Sequence, residues 1–245
     1  MRRAAAAAAG ILLLAGCSAE GRDRAPTSGA TSGPTSGTST GTSTAEETAA
    51  PTRTPSSAPE ASQASPRSGP RASDGRARDA RLSIPRLGID GLQVVAYPGK
   101  TDDAEGTRIQ DGGVAASPNG PQGGTGPGGI GNYQVTAHRL SSTKAFLELP
   151  RLRKGDRVTV EAGGTAYVYE ITITRRTSFR DEQSLREQRA EVPGRPGEKA
   201  TEAYVTLSTC RTIEDHDEGN FWADRFDNPE HRIDKIGVLV ASRKL

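Results

Sequence analysis

Long apolar segments and net charge are both scarce in this sequence of 245 residues. Hydrophobic residues make up 33% of the chain, and the formal net charge is +2 at pH 7. The apolar run over residues 4–14 is too short to span a bilayer, because a transmembrane helix needs about 20 apolar residues. No long basic run with interleaved aromatic residues occurs, so nucleic acid is not an expected partner.

Cysteine is also scarce, with Cys17 and Cys210 in the whole chain. Cys17 follows two arginines, the short apolar run and Leu-Ala-Gly, a pattern that resembles the lipobox of bacterial lipoproteins. The resemblance implies that residues 1–17 are a lipoprotein signal peptide, cleaved before a lipidated Cys17. The alternative is an ordinary secretory signal with a chance cysteine, and both readings place the mature protein outside the cytoplasm. With Cys17 lipidated, no intramolecular disulfide can form and Cys210 is the only free thiol.

Large apolar residues are nearly missing from residues 18–78, which are rich in Ser, Thr, Pro and Gly. A segment of this composition buries too little surface to offset the entropy lost on ordering, so we predict a disordered linker. Residues 79–245 then form one domain. We expect that removal of the linker leaves this domain folded.

The domain consists of short β-prone runs separated by Gly and Pro, which predicts an all-β barrel or sandwich. The predicted strands cover residues 81–84, 92–96, 133–137, 157–161, 165–174, 204–209 and 235–241. Gly163 and Gly164 predict a hairpin between two of them. We further expect a short helix over residues 142–149 and an irregular surface loop over residues 112–131.

One β-prone run, residues 203–209, ends directly at Cys210. Polar residues follow it, so the thiol is expected at the mouth of a strand, where it could meet a substrate. The alternative is an inert buried thiol. A nucleophilic thiol needs a base nearby, and the chain offers His138, His216 and His231.

Three motifs resemble those of sortases. The run Thr-Leu-Ser-Thr-Cys that ends at Cys210 resembles the TLxTC signature, and residues 131–139 resemble the GNxxxxGHR segment around His138. Ala137 stands where the family usually has Gly. Arg232 resembles the arginine that opens the last barrel strand, although Asp234 and Lys235 are more polar than that strand usually is. The resemblance covers about residues 80–245.

The resemblance implies a closed β-barrel of about eight strands with one or two short helices, of the actinobacterial class E or F type. It implies a cysteine transpeptidase, a thiol protease in the broad sense, in which Cys210 is the nucleophile. His138 protonates the departing amine and Arg232 stabilises the oxyanion, with Arg225 as the next candidate for that role. No cofactor is implied.

The expected substrates are surface proteins with an LPxTG-like or LAxTG-like sorting signal, cleaved between Thr and Gly. The expected acceptor is an amine of a peptidoglycan precursor or of another protein, and the enzyme is expected at the outer face of a Gram-positive cell membrane. Thr209 and Trp222 are candidate substrate-binding residues. The alternative for Trp222 and its neighbour Phe221 is that they pin a loop to the barrel.

Two other functions are left open. An L,D-transpeptidase also uses cysteine and histidine, but its SHGC-type pattern does not precede Cys210. A non-catalytic wall-binding lipoprotein would need neither Cys210 nor His138. The acidic run over residues 214–218 lacks the spacing of an EF-hand, so a solvated loop is favoured over a calcium site and no metal site is predicted.

Overall fold

The computed structural model describes residues 70–245 as a closed barrel of eight strands. The strands are β1 (Ala80–Ile84), β2 (Ile89–Pro98), β3 (Ala115–Asn119), β4 (Gly131–Thr136), β5 (Arg157–Ala162), β6 (Thr165–Ser178), β7 (Ala203–Cys210) and β8 (His231–Lys244). Their order around the barrel is β1-β2-β3-β4-β7-β8-β6-β5. The prediction of a closed barrel with about eight strands is confirmed.

Two strand pairs are parallel, β2 with β3 and β4 with β7, and the other pairs are antiparallel. The predicted hairpin joins β5 to β6, where Gly163 and Gly164 have φ angles of 55° and 70°. A two-residue turn of this kind needs positive φ at both positions, which glycine adopts without steric cost.

Three α-helices and two 3₁₀ turns connect the strands in residues 70–245. The helices are α1 (Ala104–Asp111), α2 (Glu182–Arg189) and α3 (Thr212–Asp217), and the 3₁₀ turns cover Pro85–Leu87 and Leu149–Arg151. The carboxylates of Asp103 and Asp181 accept hydrogen bonds from backbone N–H groups of the first turns of α1 and α2. Such N-caps satisfy donors that the helix itself leaves free.

The predicted helix over residues 142–149 is wrong. Ser142 and Lys144 have φ angles of 53° and 55°, and a right-handed helix cannot accommodate either. The chain forms turns there instead, until the 3₁₀ turn at Leu149.

The predicted loop over residues 112–131 is also wrong in part, because β3 lies inside it and is almost entirely buried. This strand contains Ser, Pro and Asn and has little intrinsic β propensity. It is held by parallel pairing with β2, over five residue pairs.

The barrel interior is a single apolar cluster to which every strand except β3 and β8 contributes several side chains. The largest fully buried members include Leu82, Ile84, Tyr133, Phe146, Leu149, Leu152, Tyr169, Ile171 and Leu207. Along β7, Val205 and Leu207 belong to this cluster, so alternate residues Thr206, Ser208 and Cys210 face outward. The nucleophile candidate therefore lies on the outer face of the barrel wall.

The chain before β1 has no regular secondary structure from residue 70 to residue 79 but is bound to the barrel. Ser73 N–H donates to the carbonyl of Gly128 at 2.7 Å, and Gly126 N–H donates to the carbonyl of Gly75 at 2.8 Å. The folded unit therefore extends beyond the domain boundary predicted at residue 79. The predicted signal peptide, Cys17 and linker residues 18–69 lie outside the described residues.

Candidate active site

Three neighbouring strands bring Cys210, His138 and Arg232 to one edge of the barrel. In the parallel pair, Thr136 at the end of β4 lies opposite Ser208 of β7, and Ala137 N–H continues the ladder to the carbonyl of Ser208 at 3.3 Å. His138 and Cys210 each come two residues after this pair, so they lie at the same level of the barrel wall. In the antiparallel pair, Cys210 lies directly opposite Arg232.

The Cys210 thiol is only partly accessible at the end of β7. Its Sγ lies 4.0 Å from Oδ1 of Asn228 in the loop before β8. Burial raises the pKa of this thiol, and the nearby positive charge of Arg232 opposes that effect without cancelling it. The resting site therefore holds a neutral thiol at neutral pH.

His138 follows β4 and has a side chain that is 13% exposed. One ring nitrogen, Nε2, lies 2.9 Å from Oδ1 of Asp111, the last residue of α1. The backbone carbonyl of His138 accepts a hydrogen bond from Phe146 N–H at 3.0 Å, which ties the following turns to the core. The ring orientation is thus fixed by a carboxylate from a different part of the chain.

Arg232 is a fully buried cation at the start of β8, with 1% of its side chain exposed. Its Nε donates to Oδ2 of Asp102 at 2.8 Å and its Nη1 donates to the carbonyl of Pro229 at 2.8 Å. One face of the guanidinium lies against the ring of Phe179, 4.2 Å from its centroid. Burial acts to lower the pKa of Arg232, but Asp102 and other nearby acidic groups outweigh it and the net shift is upward. The arginine is therefore charged at neutral pH.

Arg139, directly after the histidine, is a further residue of this site. Its buried guanidinium binds both carboxylate oxygens of Glu214 in α3, at 2.5 and 2.9 Å, and reaches the carbonyl of Cys210 at 3.3 Å. Such a two-point contact fixes geometry as well as charge. Arg139 thus ties α3 to the end of β7, and it was overlooked in the sequence although it completes the motif around His138.

The two candidate substrate-binding residues are placed differently. Thr209 is 2% exposed, and its hydroxyl donates to the carbonyl of Ala137 at 2.7 Å, so it braces β7 against the chain before His138. Trp222 is half-buried in the loop after α3, with the guanidinium carbon of Arg180 5.6 Å from its ring centroid. Phe221 is 70% exposed and lies against the ring of His216.

The residues that competed for catalytic roles in the sequence are not part of this arrangement. Arg225 is exposed in the loop before β8, with its guanidinium 4.6 Å from the ring centroid of Phe226. His216 is exposed on α3. His231 precedes Arg232 but binds the carboxylate of Asp215 through Nδ1 at 3.0 Å.

The acidic residues around α3 are largely paired with cations. Asp215 and Glu218 both accept hydrogen bonds from Arg211, and Glu214 accepts those of Arg139 described above. Within residues 70–245, no group of three or more His, Cys, Asp or Glu side chains is arranged to hold a metal ion.

Asp234 and Lys235, the two residues that depart from the usual pattern of the last strand, are both buried and hydrogen-bonded. Asp234 accepts from the hydroxyl of Thr177 at 2.6 Å and from the amide of Gln188 in α2 at 3.1 Å. Lys235 donates to the carbonyls of Pro150 and Leu152 at 3.0 and 2.7 Å. Asp234 thus fastens α2 to the outer face of the sheet beside the candidate site, and Lys235 ties β8 to the 3₁₀ turn around Pro150.

Comparison with known proteins agrees with this fold and site. The model of the sortase domain family matches residues 82–224, more than half of the chain, which include His138 and Cys210 but not Arg232. Sortase SrtE2 of Streptomyces coelicolor is 30% identical over 84 residues, which are 34% of this chain and 32% of that protein. The alignment thus spans about a third of the length of this curated relative.

Solved sortases share the barrel. The SrtA sortase of Actinomyces oris superposes with a TM-score of 0.51 at 18% identity, covering 72% of this chain and 87% of that one. Sortase E1 of Streptomyces coelicolor, solved with a tripeptide in its active site, gives a TM-score of 0.51 at 20% identity, with coverages of 71% and 94%.

A closed barrel with cysteine, histidine and arginine at one edge defines the class of cysteine transpeptidases called sortases. The chain belongs to the sortase family, as the family match over residues 82–224 shows. Neither the match nor the barrel supports the L,D-transpeptidase alternative. Within residues 70–245, none of the helices is both long and apolar enough to span a membrane.

Proposed function

We propose that this protein cleaves an LPxTG-like or LAxTG-like sorting signal between Thr and Gly and transfers the surface protein to an amine. The observation that carries the proposal is the meeting of Cys210, His138 and Arg232 at the ends of three adjacent strands. A thiol, a proton carrier and a permanent cation with directional donors are the groups that acyl transfer through a thioester requires.

In the proposed reaction, Cys210 Sγ attacks the threonine carbonyl while the thiol proton passes to His138. The oxyanion that develops on the carbonyl oxygen accepts a hydrogen bond from Arg232. His138 then returns the proton to the glycine nitrogen, the peptide bond breaks, and a thioester joins the threonine to Cys210. An acceptor amine attacks this thioester, loses a proton to His138 and leaves as the new amide, which restores the thiol.

Because the pKa of Cys210 is raised, the thiol must lose its proton to a base before it can attack, and His138 is the proposed base. Because burial keeps the thiol neutral in the resting site, a thiolate must form when substrate is present and a base can take the proton. Asp111 holds the histidine ring at its edge for this transfer. Arg232 is charged beforehand, so its contribution needs no proton movement.

We further propose that lipid on Cys17 anchors the enzyme to the outer face of a Gram-positive membrane, with the linker extending the catalytic domain into the wall. The supporting sequence is the lipobox-like Leu-Ala-Gly-Cys. Mass spectrometry of the mature N-terminus tests this proposal, because a mature chain that starts at any residue other than Cys17 would contradict it.

The experiment that tests the catalytic proposal incubates the purified protein with LPxTG and LAxTG peptides and amine acceptors, followed by mass spectrometry. We expect cleavage between Thr and Gly, an acyl adduct on Cys210, and an amide product when an amine is supplied. Cys210→Ala and His138→Ala should abolish both products while the proteins remain folded. Acyl transfer by Cys210→Ala would refute the proposal.

A further inference from the structure

The segment that leads from β2 into α1 delivers a carboxylate to the candidate catalytic arginine, 130 residues away in the sequence. Asp102 precedes the N-cap of α1, and its side chain is 7% exposed. Its Oδ2 accepts the hydrogen bond of Arg232 Nε at 2.8 Å. None of the sortase motifs recognised in the sequence includes this aspartate.

A count of the arginine donors shows what this contact does. A guanidinium has five N–H groups in a rigid plane. Nε is taken by Asp102, and Nη1 is directed at the backbone carbonyls of Pro229 and His231, at 2.8 and 3.3 Å. Nη2 is buried, and no residue in the range 70–245 accepts a hydrogen bond from it. Because buried donors are nearly always paired, this unused nitrogen marks a place for an acceptor from outside the chain.

We infer that Asp102 is a positioning residue that holds the Arg232 plane so that Nη2 donates to the substrate carbonyl attacked by Cys210. The inference rests on the proposed function. Phe179 covers one face of the guanidinium and Pro229 holds Nη1, so Asp102 fixes the remaining edge. Because these three contacts hold the guanidinium, it cannot rotate without breaking the charge-assisted hydrogen bond to Asp102.

The same contact could be imagined as an inhibitory latch that substrate must displace. A latch would be expected to engage the donors that substrate needs, through a two-point contact with Nη2 as well as Nε. The contact with Asp102 uses Nε and leaves Nη2 without a partner. The arrangement therefore supports a held arginine rather than a blocked one, and the two readings predict opposite effects of removing the carboxylate.

The backbone at Asp102 decides which variants are informative. Its φ is 55°, a conformation that glycine and asparagine adopt more readily than alanine. Asp102→Gly therefore removes the carboxylate without added backbone strain. Asp102→Asn keeps an oxygen that can accept from Nε but loses the charge. Glu105→Ala is the matched control, because Glu105 is exposed on α1 and its carboxylate accepts hydrogen bonds from Arg108.

We expect kcat/KM for peptide cleavage to fall about 10- to 100-fold in Asp102→Gly, mainly through kcat, because small misplacements of a catalytic group have effects of that size. Asp102→Asn should fall between this variant and wild type, and Glu105→Ala should match wild type. In an Arg232→Lys background, Asp102→Gly should cause no further loss, because the aspartate acts through the arginine.

Alkylation of Cys210 by iodoacetamide gives a readout that a general loss of structure would not reproduce. Removal of the Asp102 charge favours the thiolate, since that charge contributes to the raised pKa of Cys210. The alkylation rate of Asp102→Gly should therefore equal or exceed that of wild type while peptide turnover falls. If Asp102→Gly folds poorly, Asp102→Asn is measured instead. The inference then requires that the kcat of Asp102→Asn is several-fold below that of wild type at unchanged KM.

Activity of Asp102→Gly equal to or above wild type would overturn the inference and would favour a latch. A parallel fall in alkylation, activity and melting temperature would also overturn it, in favour of a purely structural aspartate. An inactive wild-type protein with a full panel of peptides would contradict the proposed function, and the inference with it. An active wild type with an unaffected Asp102→Asn, where the glycine variant does not fold, would contradict the inference alone.

Discussion

Replacement of Arg232 by lysine separates the geometry of the cation from its charge. Lysine keeps a positive charge opposite Asp102, so the buried carboxylate retains a partner and the fold is expected to survive. The arginine, however, donates to Asp102 through Nε and to the Pro229 carbonyl through Nη1, and we infer that its Nη2, which has no partner in residues 70–245, donates to the substrate. A single ammonium nitrogen at the end of a flexible chain cannot occupy those three directions at once.

The size of the effect follows from the donor that is lost. Removal of one preorganised oxyanion donor typically lowers kcat about 10²- to 10³-fold, or about 3–4 kcal/mol of transition-state stabilisation. We expect Arg232→Lys to lose activity in that range, with a smaller change in KM. Cleavage of a fluorescence-quenched sorting peptide measures both constants, and the melting temperature reports whether the variant is folded.

Arg225→Lys is the matched control, since Arg225 is exposed and stacks on Phe226 rather than entering the site. It should retain wild-type activity within about twofold, because surface substitutions away from a site have small effects. If Arg232→Lys were close to wild type and Arg225→Lys were inactive, the assignment of the oxyanion donor would be wrong.

Three further predictions concern polar side chains of the barrel and the site. Asp111→Ala should lower kcat about tenfold, since it frees the ring of His138, and a kcat equal to that of wild type would show that this contact is dispensable. Tyr169→Phe should lower the free energy of unfolding by about 1–3 kcal/mol, because it leaves the Gly128 N–H without its acceptor. Tyr133→Phe removes a buried hydroxyl that has no partner in residues 70–245, so it should be neutral or stabilising. Chemical denaturation measures both effects. Burial raises the pKa of Asp234 above its usual value, so the native state binds this proton more tightly than the unfolded chain does. The carboxyl therefore contributes stability at low pH that is lost as pH rises through the raised pKa. Asp234→Asn should raise the melting temperature at pH 7 by an amount that shrinks on acidification, and a gain independent of pH would contradict this account.

The sequence was sufficient for the parts of the fold with strong local patterns. The β-prone runs of β5, β6 and β7 and the Gly163-Gly164 turn are local signals, and the strands and the hairpin predicted from them exist in the structure. The strand β3 was missed because its Ala-Ala-Ser-Pro-Asn has no such pattern, and pairing with β2 makes it a strand. The short α1 and α2 could have been found from the aspartates that cap them.

Some residues of the candidate site could be predicted from the sequence, and others became visible only in the folded structure. Cys210, His138 and Arg232 were found through motifs, which record a family's chemistry in contiguous residues. Asp102 and Asp111 could not be found from a single sequence, because their importance arises from contacts over 130 and 27 residues of chain. A carboxylate near a helix terminus is common in any sequence, and only the folded position of α1 shows what it faces.

The placement of these charges also bears on how the Cys210 thiol is protected from oxidation. A thiolate is the form that oxidants attack, and low-pKa exposed cysteines are the most susceptible. Arg232 lies beside Cys210 and by itself would favour the thiolate, but Asp102 offsets its charge and burial raises the pKa of the thiol further. The raised pKa of Cys210 favours the neutral thiol, which oxidants attack less readily than a thiolate, while Arg232 stays charged beside it. In the proposed mechanism, nucleophilicity then depends on proton transfer from Cys210 to His138, and Arg232 stabilises the oxyanion once a peptide carbonyl is bound.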